Sequence, residues 1–221
     1  MINLKTNEGG FTLRTATLAD AKYMEEVQAI CFPTLAPAER LTKEHYANHI
    51  QLFPEGQLVV VDHEKIIASS STLRMPFPKL DHSFMEATDN LWITKTHIPD
   101  GNWLYQFDIG VLPQYRGLKL STELYRSQQE LVKAWNMKGQ VTVGMTSGYS
   151  MYQDHYSIEE YCERLKNKQF TDPTVTPQRK AGFQWITPIY NYVDDPTAGN
   201  CSVLMAWPLE GVSLREYIKP E

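Results

Sequence analysis

The feature that most limits the fold is a strand, a helix and a second strand that follow one another between Trp103 and Met145. Residues 103–111 read WLYQFDIGV and residues 141–145 read VTVGM, and both runs are typical of buried strands. Between them Leu120, Leu124 and Leu131 recur on one side of a helix. Two strands joined by a crossover helix are expected to lie parallel, so the pattern predicts an α/β domain.

The rest of the chain predicts further elements around this crossover. Turn residues and changes of hydrophobic period separate them, and residues 74–102 show little periodicity apart from a short helix near 84–92. The predicted strands are 10–16, 58–62, 65–73, 183–192 and 202–207, and the predicted helices begin at Thr17, Thr42, Ser157 and Thr174. We therefore expect one mixed α/β domain over residues 1–221, with a core at about 10–207 and a C-terminal tail at 208–221.

Composition favours a soluble globular protein. Apolar residues make up 42% of the 221 residues, and a net charge of −5 argues against nucleic-acid binding. No apolar run is long enough to cross a membrane, and the N-terminus has no signal-peptide pattern. Cys31, Cys162 and Cys201 are far apart and odd in number, which is typical of reduced thiols, so we expect a cytoplasmic protein.

Residues 114–121 place Arg116 and Gly117 at the start of the crossover helix. The first amides of a helix have no partner within it and attract phosphate, and glycine lets a ligand approach the backbone. Arginine adds a permanent cation that suits phosphate oxygens. The nucleotide motifs GxxxxGK[ST] and GxGxxG are both absent, so a pyrophosphate site and an ordinary turn with a surface arginine both remain open.

The stretch VLPQYRGLKLSTEL, residues 111–124, resembles the acetyl-CoA-binding motif of the GNAT superfamily of N-acetyltransferases, V-x-P-x-x-R-G-x-G-x-G/A-x-x-L. Lys119 stands where that family commonly has glycine, and Ser121 stands where it has glycine or alanine. The order of elements resembles the family over nearly the whole chain. The matching motif residues are Val111, Pro113, Arg116, Gly117 and Leu124, with Gly182-Phe183 before the last hairpin.

Residues 144–195 also resemble the GNAT domain that is fused to carbon–nitrogen hydrolases in some bacterial proteins. The chain ends near the end of such a domain, so we expect no attached hydrolase. The matching pieces are Gly148-Tyr149, Glu159-Glu160-Tyr161, Phe170-Thr171-Asp172-Pro173, Gly182-Phe183 and Asp194-Asp195-Pro196.

The resemblance implies the GNAT acyl-CoA N-acyltransferase fold, a mixed and mostly antiparallel sheet with two splayed parallel strands, flanked by helices. It implies acetyl-CoA as co-substrate, with the pantetheine arm along residues 107–111 and an oxyanion-binding amide near Ile109 or Val111. The amides of Arg116, Gly117, Leu118, Lys119, Leu120 and Ser121 would hold the pyrophosphate. His45 and His49 share a helix face but have no evident third ligand, so no metal is expected.

The resemblance further implies direct transfer of an acetyl group to a primary amine of a small molecule or peptide while both substrates are bound. A base must first deprotonate that amine. Tyr105 occupies the position of a frequent family glutamate, and Asp108 is the nearest carboxylate but has the opposite strand parity. Asp154, His155 and Glu159 are further candidates for the base.

The sequence also leaves open which residue acts as the general acid. Gln178 stands where many members have a tyrosine, so Tyr149, Tyr152 or Tyr156 would have to donate the proton, and core packing is the alternative role of each. Lys119 and Gln178 favour a second reading, a non-catalytic acyl-CoA-binding module that acts as a sensor or regulatory partner. A structural domain without a CoA site is a third. The expected partners are acetyl-CoA and an amine. We expect no nucleic-acid or membrane partner, and a homodimer remains open.

Overall fold

A single sheet organises the residues that the computed structural model describes, which are 3–5 and 10–218. Its strands are β1 (Asn3–Lys5), β2 (Thr12–Thr15), β3 (Gln57–Asp62), β4 (Lys65–Met75), β5 (Trp103–Val111), β6 (Gly139–Met145), β7 (Gln184–Tyr190) and β8 (Cys201–Pro208). Their order in space is β1-β2-β3-β4-β5-β6-β8-β7. β5 and β6 run parallel, and the other neighbouring pairs of these strands are antiparallel.

The parallel pair separates partway along its length. β5 and β6 are paired from Trp103 opposite Gly139 to Gln106 opposite Thr142, and the pairing stops there. β5 stays paired with β4 as far as Val111, while β6 follows β8 to its end. The strands therefore splay beyond Gln106, which confirms the predicted mixed sheet with splayed parallel strands.

Helices cover both faces of the sheet, as predicted. They are α1 (Ala21–Cys31), α2 (Lys43–Leu52), α3 (Phe84–Ala87), α4 (Leu120–Ala134), α5 (Ile158–Lys166) and α6 (Val175–Lys180). α1 and α2 bury Met24, Val27 and Tyr46 in the largest core cluster, which also contains Trp103 and Tyr105 of β5. On the opposite face, the N-terminal half of α4 packs onto side chains of β2, β3 and β4. Apolar residues at helical spacing thus fix α4 against the end of β5.

The segment predicted as a C-terminal tail packs partly against the domain. Val212, Leu214 and Tyr217 lie against the main core cluster, and the Tyr217 ring contacts Trp103 at a centroid distance of 5.2 Å. Residues 219–221 of that segment lie outside the described residues. The division into one domain and a tail stays a prediction.

Candidate active site

A cleft of about 520 Å³ opens where β5 and β6 part. Its walls come from the end of β5, the turn into α4 and the segment around Pro173 to Pro177. The cleft brings together Ile109, Val111, Arg116, Gly117, Lys119, Leu120 and Ser121, which are all of the predicted cofactor-binding residues except one. Leu118 does not line it, and its side chain is 41% exposed.

The turn into α4 presents main-chain donors at the mouth of this cleft. Among the described residues, no acceptor takes up the amides of Gly117, Leu118, Leu120 or Ser121, and α4 has no side-chain N-cap. The dipole of this 15-residue helix adds positive charge at the same end. A Cβ at Gly117 would meet no atom within 4 Å, so the space beside its backbone is open.

Two residues of this turn adopt left-handed backbone conformations. The φ angle is 84° at Gly117 and 57° at Lys119, which is the N-cap of α4. A lysine in this region is strained by about 1–2 kcal/mol, whereas glycine is not. This conformation explains why a glycine suits position 119, and it shows that Lys119 keeps the backbone path that glycine would follow.

The free edge of β5 turns main-chain groups toward the cleft. The Leu112 N–H donates to Ile67 O of β4 at 3.0 Å, so strand alternation directs the N–H and C=O groups of Ile109 and Val111 the other way. Arg116 Nε and Cys31 Sγ each donate to Val111 O at 3.3 Å. The edge can therefore pair with an extended ligand, and its amides can bind a developing negative charge.

A smaller chamber of about 80 Å³ adjoins the cleft between the parted strands. Phe32, Ile109 and Thr174 line both spaces, so the chamber lies directly beyond the cleft. Its wall is mainly apolar, with Asp108 and Tyr192 as its titratable side chains among the described residues.

Asp108 reaches this chamber because β5 contains a β-bulge. Ser71 pairs with Asp108 but Thr72 pairs with Gln106, so Phe107 is an extra residue in β5. The bulge reverses the alternation, and Asp108 lies on the sheet face of Tyr105. There it accepts a 2.9 Å hydrogen bond from Tyr46 Oη of α2. The expectation that Asp108 points to the opposite sheet face from Tyr105 is therefore wrong, because that expectation assumed a β5 without a bulge.

The surroundings of Asp108 bring the pKa of its carboxyl close to neutral pH. Burial raises the pKa of Asp108 to about 7, and the Tyr46 hydrogen bond opposes that rise. Asp108 as a residue is 6% exposed, and its Oδ1 has no hydrogen-bond partner among the described residues. A carboxyl of this kind can take up and release a proton at neutral pH.

Tyr105 lies behind the chamber and does not line it. Its ring is fully buried, and its hydroxyl is 2.8 Å from His82 Nε2 and 2.8 Å from Tyr192 Oη. Burial raises the pKa of Tyr105 well above its ordinary value, so the phenol is neutral. Its hydroxyl is linked to the chamber by the hydrogen bond to Tyr192, which does line it.

The structure separates Tyr149 and Tyr152 from both spaces. Tyr152 stacks on Phe170 at a centroid distance of 4.3 Å, and Tyr149 Oη donates to Tyr156 O at 3.1 Å. These rings form an aromatic cluster with Tyr161. The residues after β6 turn into this cluster, so the structure does not bring these two candidates for the general acid to the chamber. Asp154, His155 and Glu159 do not line the cleft or the chamber either.

Gln178 lines the chamber at the position where a tyrosine was expected from the family motif. It is 1% exposed, and its Nε2 donates to Thr142 Oγ1 at 3.3 Å. Gly144 leaves room for it, since a Cβ at that position would collide with the Gln178 amide. An amide does not supply a proton at neutral pH, so Gln178 can bind and orient but cannot act as the acid.

Sequence reasoning missed Tyr46 and Tyr192, which come from α2 and from the loop after β7. Nothing local marks either position, because an amphipathic helix and a hairpin loop commonly carry tyrosines. No group of three or more His, Cys, Asp or Glu side chains within the described part of the chain could hold a metal ion. None of the described helices is both long enough and apolar enough to span a bilayer.

Sequence comparison places the chain in a family. No protein-family model matches it. It is 33% identical over 199 residues to the uncharacterized N-acetyltransferase YkwB of Bacillus subtilis (strain 168), covering 89% of this chain and 88% of that protein. The chain belongs to the GNAT superfamily of N-acetyltransferases. Membership of this superfamily supports an acyltransferase, and the predicted resemblance to the superfamily is confirmed.

A second relative of this GNAT protein is much longer. The chain is 31% identical over 209 residues to the probable hydrolase YhcX of the same bacterium, covering 93% of this chain. It spans 40% of the length of that relative.

Solved structures confirm the GNAT fold. The loading GNATL domain of CurA from Lyngbya majuscula gives a TM-score of 0.73 at 18% identity, over 90% of this chain and 98% of that one. The GphF GNAT-like decarboxylase in complex with isobutyryl-CoA gives 0.71 at 18% identity, over 89% and 98%. YncA from Salmonella typhimurium, solved with its cofactor acetyl-CoA, gives 0.55 at 10% identity, over 92% and 96%. At these identities the likeness concerns the fold.

Proposed function

We propose that this GNAT protein transfers an acetyl group from acetyl-CoA to a primary amine of a small molecule or a peptide, by direct transfer in a ternary complex. The observation that carries the proposal is the continuous path formed by the parted strands. Amides at the start of α4 that have no acceptor among the described residues lead along the free edge of β5 to a buried carboxyl with a pKa of about 7.

The cleft suits the donor substrate. The amides of Gly117, Leu118, Leu120 and Ser121 and the guanidinium of Arg116 offer donors to a diphosphate. The β5 edge offers a strand-like partner to the pantetheine amides. Two structures of the same fold, those of YncA and GphF, contain acetyl-CoA and isobutyryl-CoA respectively. These complexes support an acyl-CoA as the donor substrate.

The chamber suits the chemistry of an amine acceptor. An alkylamine is mostly protonated at pH 7, because its reference pKa is about 10.4. Asp108 can remove a proton from the attacking nitrogen and return one to the leaving thiolate, whose reference pKa is about 8.5. The amide of Ile109 or Val111 would stabilise the thioester oxyanion. Because both substrates are bound side by side, the transfer needs no covalent enzyme intermediate.

One observation favours a second function. Gln178 occupies the place of the usual acid, and it cannot supply a proton. A GNAT protein that binds acyl-CoA without turnover, as a sensor or regulatory partner, is the competing reading.

The two functions separate in one pair of measurements. Acetyl-CoA at about 100 times its Kd is expected to stabilise the fold by about 2.7 kcal/mol, which a thermal melt detects. Thiol release is then followed with small aliphatic amines, aromatic amines, polyamines and peptides, and acetylated product is identified by mass spectrometry. Release without amine serves as the control for hydrolysis. A melting shift without amine-dependent release would favour the binding module, and no shift at all would contradict both functions.

A further inference from the structure

A chain of hydrogen bonds leads from the chamber wall toward the surface. Tyr192 lines the chamber, its hydroxyl is 2.8 Å from that of Tyr105, and Tyr105 Oη is 2.8 Å from His82 Nε2. Tyr192 and Tyr105 are buried, whereas His82 is half-buried. We propose that Tyr192, Tyr105 and His82 form the exit path for the proton that each acetyl transfer releases, a proposal that rests on the function proposed above.

The backbone fixes the direction of this chain. His82 Nδ1 lies 2.6 Å from the carbonyl oxygen of Lys79, which can only accept, so Nδ1 carries the proton. In the neutral ring Nε2 is then an acceptor, and Tyr105 donates to it. Tyr105 has used its one proton in that bond, so Tyr192 donates to Tyr105. All the donors point away from the chamber, and the oxygen of Tyr192 remains able to accept.

The reaction needs such an exit. When an alkylammonium becomes an amide, nitrogen loses two protons, and the leaving thiolate takes up one of them. The other must reach water. Asp108 is almost fully buried, and bound acetyl-CoA would occupy the cleft that adjoins the chamber. A proton passed to Tyr192 moves the hydroxyl proton of each tyrosine one step along, so that His82 receives one and then returns it to solvent.

The charges around His82 allow it to act as the terminal acceptor. Burial lowers its pKa, while the Lys79 carbonyl and the carboxylates of Glu86 and Asp81 oppose that change. Lys79 and Asp81 lie on its own loop, Glu86 on α3, Tyr105 on β5 and Tyr192 in the loop after β7. The ring is therefore neutral at pH 7 and can accept a proton, with two carboxylates near to stabilise the imidazolium that forms.

His82→Gln separates a structural role from a proton-transfer role. Glutamine can still accept the Tyr105 hydrogen bond but cannot be protonated. We expect kcat to fall about tenfold to a hundredfold at pH 7, with KM for acetyl-CoA unchanged and with partial recovery as added imidazole is increased. His63→Gln is the matched control, because the His63 side chain is 97% exposed and lies far along the chain at the β3–β4 turn.

Tyr105→Phe tests the middle of the path independently. It removes the link between Tyr192 and His82, so kcat should fall similarly, and imidazole should give no recovery because the break lies inside the protein. Nitrogen NMR of labelled histidine should show the Nδ1–H tautomer of His82 in the wild type, whether or not turnover occurs. A wild type that releases thiol and a His82→Gln variant with the same kcat and the same response to imidazole would overturn the path alone. A wild type without transfer to any amine would overturn the proposed function and the path together.

Discussion

The cleft and the chamber occupy the same gap between β5 and β6, yet the chain builds them in different ways. The cleft takes its main binding groups from one continuous stretch, residues 109–121, and many of those groups are main-chain amides. The chamber is assembled from side chains of distant segments. The polar side chains that line it include Asp108 of β5, Gln178 of α6 and Tyr192 after β7. Tyr46 of α2 donates a hydrogen bond to Asp108.

This difference determines how each part tolerates sequence change. A main-chain amide keeps its place whatever side chain it carries, provided that the backbone path is preserved. Lys119 illustrates this, since it follows a left-handed path with φ of 57° where the family commonly has glycine. A side chain in the chamber has no such freedom, because its own atoms do the chemistry. The departure at Gln178, which lines the chamber, therefore changes the chemistry that the chamber can support.

The largest expected effect is the loss of CoA binding when the cleft is altered at Gly117. Gly117→Glu places bulk and negative charge in the open space beside the turn, where the diphosphate would bind. Like charges at such a contact cost several kcal/mol, so affinity for CoA should fall by at least about a hundredfold in isothermal titration. Gly211→Glu is the matched control, because Gly211 has a φ of 87° and equally open space. Equal affinity of the two variants would show that the phosphates do not lie at Gly117.

The next largest effect is a loss of turnover when the chamber is altered at Asp108 and the cleft is left unchanged. Asp108→Asn keeps a side chain that can accept the Tyr46 hydrogen bond but removes the titrating group. We expect kcat to fall about a hundredfold to a thousandfold, with CoA affinity changed less than about threefold. Asp100→Asn, at an exposed position, is the control. A variant that retains wild-type kcat would exclude Asp108 as the base.

Asp108→Asn should also change how stability depends on pH. Because burial raises the pKa of Asp108 to about 7, the folded protein binds a proton between pH 4 and 7 that the unfolded chain has lost. Wild-type stability therefore falls as pH rises through that range. The variant should be more stable than the wild type at pH 8, by at most about 4 kcal/mol, and should differ little at pH 4. Urea melts at the two pH values measure this difference.

The same contrast explains how far sequence reasoning could reach. The bounds predicted for β5 agree with the structure, the crossover is parallel as predicted, and the turn at Arg116 and Gly117 meets the β5 edge in one cleft. All of these depend on local patterns, namely hydrophobic period, a helix start and a glycine. The family motif is read from the same local stretch.

The chamber could not be predicted in this way. The bulge at Phe107 carries no glycine or other local signal, yet it decides which face Asp108 occupies. Tyr149 and Tyr152 follow β6 in the sequence, but their rings join an aromatic cluster that contains Tyr161 and Phe170. Tyr192 lies far from Asp108 along the chain, and only tertiary packing brings both to the same wall.

The smallest expected effect sharpens the claim that the cleft binds through its main chain. Lys119→Gly relieves the left-handed strain of the N-cap but also gives the unfolded chain more freedom, so stability should change by less than about 1 kcal/mol. Lys168→Gly is a matched control away from the cleft, since Lys168 has a φ of 61°. If the amides hold the diphosphate, CoA affinity should fall less than about tenfold in Lys119→Gly and not at all in Lys168→Gly. A larger loss at position 119 would show that a lysine side chain, rather than the backbone that glycine shares with it, is the main phosphate ligand in this protein.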